Sequence, residues 1–134
     1  MVLLDTCALI WMSSKAPVSP KAQRIISQAN AKGMLYLSPV SAWEIGLLAR
    51  RNKILLNSPV EAYIRHVFSR PGVRIATLTP EIAVRSSFLP GDFHDDPGDR
   101  LLITTAVVMG LQFITRDQRI LDYGAQGYAS VLPC

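Results

Sequence analysis

The chain is poor in the residues that cross-link or wire small proteins, with two cysteines and two histidines among 134 residues. Cys7 lies in an apolar run and Cys134 is the last residue, a pattern that gives neither a disulfide framework nor metal-ligand spacing, so a reducing, cytoplasmic setting is expected. His66 falls in an amphipathic stretch and His94 in a loop, and nothing in their spacing pairs them as acid and base. Long hydrophobic runs are missing too. No apolar segment approaches the roughly 18 residues of a membrane span, and Met1-Val2-Leu3-Leu4 meets Asp5 before the core of a signal peptide can form. There is no internal repeat, no low-complexity tract and no Gly-rich nucleotide loop, and Asp5 is not followed by a second aspartate two residues on. Those absences disfavour nucleotide-binding, phosphatase and receiver-type chemistry.

What is there fits one domain, residues 1–134, large enough to bury a core without disulfides. The formal net charge of +4 favours a polyanionic partner only modestly. The position of the acids says more. Asp5, Glu44, Asp99 and Asp117 each lie inside or against apolar segments, where a carboxylate is costly unless it is paired.

Taken in order, Val2-Leu3-Leu4 reads as a buried strand, followed by a helix capped by Asp5 or Thr6 and a connection over residues 13–20. Lys21 to Lys32 has helical spacing, with Gly33 as its stop, and Met34 to Leu37 reads as a second strand. Ser38-Pro39 opens a helix from Val40 to about Arg51, in which Glu44 is the only charge before Arg50. Asn57-Ser58-Pro59 opens an amphipathic helix over 60–69, Val73 to Leu78 suggests a third strand, and Thr79-Pro80-Glu81 starts another helix. Asp96-Pro97 reads as an N-cap followed by proline at the first helical position, with Asp99 in the first turn and an apolar body, expected to be buried, running to Gly110. Leu111 to Ile114 is a strand, a brief helix covers 118–123, and Ala129 to Leu132 is a last edge strand.

Short apolar strands alternating with helices imply right-handed crossovers and a three-layer α/β/α domain around a mainly parallel sheet of four to five strands. Ligands of such sheets bind beyond the carboxyl ends of the strands. Asp5, Glu44, Asp99 and Asp117 can all face that crevice. Two like charges about 4 Å apart repel by roughly 4 kcal/mol at an effective dielectric near 20, so either their pKa values rise or a cation neutralises them. An all-oxygen site with no supporting histidine or cysteine suits Mg²⁺ or Mn²⁺.

The runs Leu3-Leu4-Asp5-Thr6, Ser41-Ala42-Trp43-Glu44-Ile45, His94-x-Asp96-Pro97-x-Asp99-Arg100 and Thr115-x-Asp117 resemble, in order and spacing, the PIN-domain ribonucleases, most closely the VapC toxins of toxin–antitoxin pairs. The resemblance implies a PIN-like domain and a Mg²⁺- or Mn²⁺-dependent endoribonuclease with Asp5, Glu44, Asp99 and Asp117 as catalytic and metal-holding acids. It also implies an RNA substrate, a homodimer and a cognate VapB-type antitoxin that lays a peptide into the groove. Asp5 and Asp99 are the firmest expected ligands, with Glu44 and Asp117 completing the set and orienting water. Gly98 departs from the bulkier residue common in relatives, which is expected to loosen the entry to the helix. Thr6 and Thr115 are supporting hydroxyls, equally readable as caps or strand-end hydrogen bonds. Arg100, Arg116, Arg50, Arg51 and Lys53 are candidate phosphate contacts. Asp96 is assigned to capping and His94 to ordering its loop. The alternatives are a catalytically inactive PIN-like scaffold that binds RNA or protein, and a metal-free nuclease using His66 and His94.

Overall fold

The computed structural model describes residues 1–14 and 17–134. Among them, five strands form one sheet: β1 (Val2–Leu4), β2 (Leu35–Leu37), β3 (Val73–Ile75), β4 (Gln112–Thr115) and β5 (Val131–Pro133). Their order is β3-β2-β1-β4-β5 and every pairing is parallel, with Val2 opposite both Leu35 and Gln112 and Leu4 opposite Ile114. The mainly parallel expectation is met by a wholly parallel sheet. Helices α1 (Thr6–Ser13), α2 (Pro20–Ala31), α3 (Pro39–Arg50), α4 (Val60–Phe68), α5 (Pro80–Arg85), α6 (Pro97–Met109) and α7 (Gln118–Ala125) connect the strands, with a 3-10 turn at Ser86–Phe88.

β1 can sit at the centre because it is apolar at every position; parallel strands covered on both faces read as continuous hydrophobic runs. Its side chains alternate between two cores. Val2 and Leu4 join Leu9, Ile26, Ile45 and Val67 on the face covered by α1, α2 and α4. Leu3 joins Leu102, Ile103, Ala106, Ile120 and Tyr123 under α6 and α7. The sheet is thus the middle of three layers, and α3 serves both cores, giving Ile45 to the first and Val40 to the second.

Helix starts follow the sequence signals closely. Ser19, Ser38, Thr79, Asp96 and Asp117 each accept a backbone N–H from the following turn, and proline stands at the start of α2, α3, α5 and α6. Asp5, not Thr6, caps α1. Gly110 ends α6 with φ 66°, the left-handed conformation that glycine adopts without steric cost.

Three expectations shift. The third strand stops at Ile75, because the chain turns after the buried Ala76 to place Thr79 as the cap of α5. α6 is buried over Leu102–Ala106, but Val107 is 39 % exposed. Of the connection read over 13–20, Lys15 and Ala16 lie outside the described residues. No helix among the described residues is long and apolar enough to cross a membrane.

Candidate active site

The carboxyl ends of β1 and β4 deliver two acids side by side, because the strands are neighbours. Asp5 follows β1 and caps α1 by accepting the Cys7 N–H at 3.1 Å; Asp117 follows β4 and caps α7 by accepting the Arg119 N–H at 2.8 Å. Thr115, fully buried at the end of β4, joins them. Its hydroxyl donates to Asp5 Oδ2 and accepts the Asp117 N–H at 3.0 Å. On the other side α3 brings Glu44, whose Oε1 lies 2.7 Å from Thr6 Oγ1, itself 2.9 Å from Ser41 Oγ. The N-terminus of α6 brings Asp96 and Asp99, with Asp96 Oδ1 accepting the Asp99 N–H at 2.9 Å.

These acids line one cleft of about 530 Å³, together with Thr6, Cys7, Trp11, Trp43, Arg51 and Arg116. Carboxylate oxygens of Glu44, Asp96 and Asp99 lie within 4.8 Å of one another. Burial is the main reason that the Asp5 and Asp99 carboxyls sit above the ordinary aspartate range, with neighbouring aspartates adding to it. Glu44 is pushed up to about 7, by burial first and then by Asp99, Asp5 and Asp96, while its Thr6 hydrogen bond pulls the other way. Asp117 is lowered instead, chiefly by its hydrogen bonds to Arg119, whose Nη2 lies 3.0 Å from Asp117 Oδ2 and 3.7 Å from Asp99 Oδ2.

The donor set fits a hard divalent cation. The clustered acids offer carboxylate oxygens, and the three that protonate more readily than usual are those whose ionised forms a cation would stabilise. Gly98 contributes to the fit. A Cβ there would lie 2.8 Å from Glu44 Oε2 and 3.3 Å from Asp96 Oδ1, so the missing side chain leaves room for Glu44 against α6. α6 starts at Pro97, and Gly98 is buried in its first turn.

Several expected roles change. Asp96 caps α6 as read, but it also belongs to the acid cluster. His94 does more than order its loop, since its Nε2 lies 2.6 Å from Asp99 Oδ2, and the expectation of acids without a supporting histidine is therefore corrected. His66 is exposed on α4, whose apolar side packs in the other core, so the geometry builds no pair with His94. Arg100 is not a cleft residue. Its guanidinium donates to the carbonyls of Ser86, Phe93 and His94, which fastens the loop that carries His94. Of the remaining basic candidates, Arg51 and Arg116 line the cleft, whereas Arg50 and Lys53 are exposed beyond it. Arg119 was missed by the sequence reading, although its place in the turn after Asp117 was a signal.

Residues 2–126 match the model of the PIN domain family. Ribonuclease VapC22 of Mycobacterium tuberculosis (strain ATCC 25618 / H37Rv) is 32% identical over 123 residues, covering 91% of each protein. Among solved structures, a toxin-antitoxin complex from Klebsiella pneumoniae superposes with a TM-score of 0.66 at 21% identity, covering 98% of this chain and 96% of that one. VapBC2 from Rickettsia felis, bound to a DNA fragment from its promoter, gives 0.70 at 12% identity, covering 99% and 98%. The parallel sheet, the acids gathered at its carboxyl edge and the match along nearly the whole length lead to one conclusion: the chain belongs to the PIN-domain family.

Proposed function

We propose that the protein is a Mg²⁺- or Mn²⁺-dependent endoribonuclease and the toxin of a VapBC-type pair, working in the cytoplasm as a homodimer held in check by a VapB-type antitoxin. The observation that carries the reading is the convergence of Asp5, Glu44, Asp96, Asp99 and Asp117 on one cleft. Support for the substrate class comes from the mycobacterial relative, which is named a ribonuclease. Support for the antitoxin comes from the Klebsiella neighbour, described as a toxin-antitoxin complex.

Asp5, Glu44, Asp99 and Asp117 would hold the cation, with Thr115 and Thr6 fixing the carboxyls of Asp5 and Glu44. A divalent ion in such a site lowers the pKa of a water and neutralises charge on the phosphate. Glu44, steadied by Thr6 and beside the other acids, is placed to orient the attacking water. Arg51 neutralises a flanking phosphate, a contact that positions the strand without reading its sequence, while Arg116 is held by the Cys134 carbonyl and stacked on Trp11.

The test is cleavage of RNA with and without a chelator, with Mg²⁺ or Mn²⁺ restored, in the wild type and in Asp99→Asn. Asparagine keeps size and fold while removing one charge. Loss of activity on chelation, recovery with the cation, and a drop of about 100-fold or more in the variant are expected. Cleavage indifferent to both would point to a nuclease that works without a metal, and no cleavage under any condition would leave only the binding scaffold.

A further inference from the structure

The cleft has a second character besides its acids. From α3 and its C-cap, Trp43, Leu47, Leu48 and Arg51 line it alongside Glu44, and α1 adds Trp11. Positions 43 and 47 on α3 and 51 at its C-cap follow one another at helical spacing, so one stripe presents an indole, an aliphatic side chain and a guanidinium to the same space. The two tryptophans are in different states. Trp11 is covered by Arg116, whose guanidinium carbon lies 3.8 Å from the ring centroid. Trp43 is 50% exposed, and among the described residues no ring or guanidinium lies over it. The chain thus leaves half of a large apolar side chain open beside a cluster of carboxylates, one residue from Glu44.

We infer that Trp43 is a stacking platform for one base of a single-stranded RNA whose backbone crosses the acidic cleft; the inference rests on the ribonuclease reading above. A nucleotide has the matching halves: a phosphate for the acid-held cation and Arg51, and a flat base for the indole. Arg51 makes no side-chain hydrogen bond among the described residues, so it can turn to a phosphate. With the acids compensated by a cation, Arg51 adds a positive group at the same end of the cleft as Trp43, which favours a nucleotide over an apolar peptide as the occupant. Single strands are required because bases in a duplex already stack on each other, whereas unpaired bases offer a free face to aromatic side chains.

The experiment measures binding of a short fluorescent RNA to the full chain carrying Asp99→Asn, with Mg²⁺ present, alone and combined with Trp43→Leu or Trp43→Phe. Leucine keeps an apolar surface without a π-face, and phenylalanine restores a ring. Trp43→Leu should raise Kd about tenfold and Trp43→Phe should recover most of the loss. An abasic site moved along the RNA should reveal one position whose removal costs the tryptophan form about tenfold and the leucine form nothing further. The same RNA as a duplex should bind more weakly than the single strand. Wild-type affinity in Trp43→Leu, additive losses at every abasic position, or equal binding of the duplex would each overturn the inference. So would a Trp43→Leu protein that binds RNA normally but escapes a VapB-type antitoxin, which would give this wall to a protein partner. Because cleavage and its chelator sensitivity are measured separately with Trp43 intact, failure here leaves the nuclease reading standing, and failure there is visible on its own.

Discussion

Asp5 and Asp117 share the same local grammar and end in opposite electrostatic states. Each follows a central parallel strand, each caps the next helix, and each touches Thr115. Asp5 is only 6% exposed, and that burial raises its carboxyl although the Thr115 hydroxyl and the Cys7 amide that hold it pull the other way. Asp117 lies nearer the surface against the Arg119 guanidinium, so its carboxyl is lowered. Glu44, held by Thr6, follows the Asp5 pattern. Hydroxyls orient an acid without neutralising it, and a guanidinium does both. Among the described residues, the inner side of the cleft therefore carries acids without a guanidinium partner, and the outer side has one at Asp117.

The largest break in that contrast should come from adding the cation. Raised folded-state pKa values mean that the native protein binds more protons than the unfolded chain. For Glu44 the contribution is full below about 4.5 and is lost as pH rises to about 7, so the metal-free protein should lose stability across that window. Asp117 has the opposite sign, adding stability above its ordinary value that disappears in stronger acid. Mn²⁺ at a hundred times its Kd should add about 2.7 kcal/mol near neutrality and less at low pH, where the acids are protonated. Melting curves over pH with and without the ion check this; a cation effect independent of pH would contradict it.

Next in size is Thr115→Val, which keeps the shape while removing the donor to Asp5 and the acceptor for the Asp117 N–H. A loss of about 2 kcal/mol by denaturant unfolding is expected. The smallest effect is that of Arg119→Gln, which should scarcely move the melting temperature, since Arg119 is exposed. Its consequence is local: the Asp117 carboxyl should climb toward the ordinary range, visible by NMR titration, while Asp5 stays where it is.

The sheet and the helix starts were legible because they depend on neighbours in sequence. Val2-Leu3-Leu4 can only be an interior strand, and Asp96-Pro97 or Ser38-Pro39 announces a helix without help from the rest of the chain. The gathering of Asp5, Glu44, Asp99 and Asp117 followed from the parallel topology, which sends every strand end to the same edge. What was not legible depends on where a long side chain turns in three dimensions. Arg100 neighbours Asp99 yet turns to three carbonyls, and Arg119, outside every recognised run, reaches two of the acids. Asp96 shows how one residue serves two purposes: a capping signal in sequence hides membership of the cluster. Trp43 read as an apolar helix position, and only the cleft around it shows half of the indole left open.

The hydrogen bond between Asp5 and Thr115 spans 110 positions. On a ribosome adding about 5–20 residues per second, Asp5 waits roughly 5–20 s for its partner to be made. The central strand likewise gains its β4 neighbour only once Gln112–Thr115 have been made. A nascent chain consequently carries its first acid in an unfinished pocket until 110 further residues have been added.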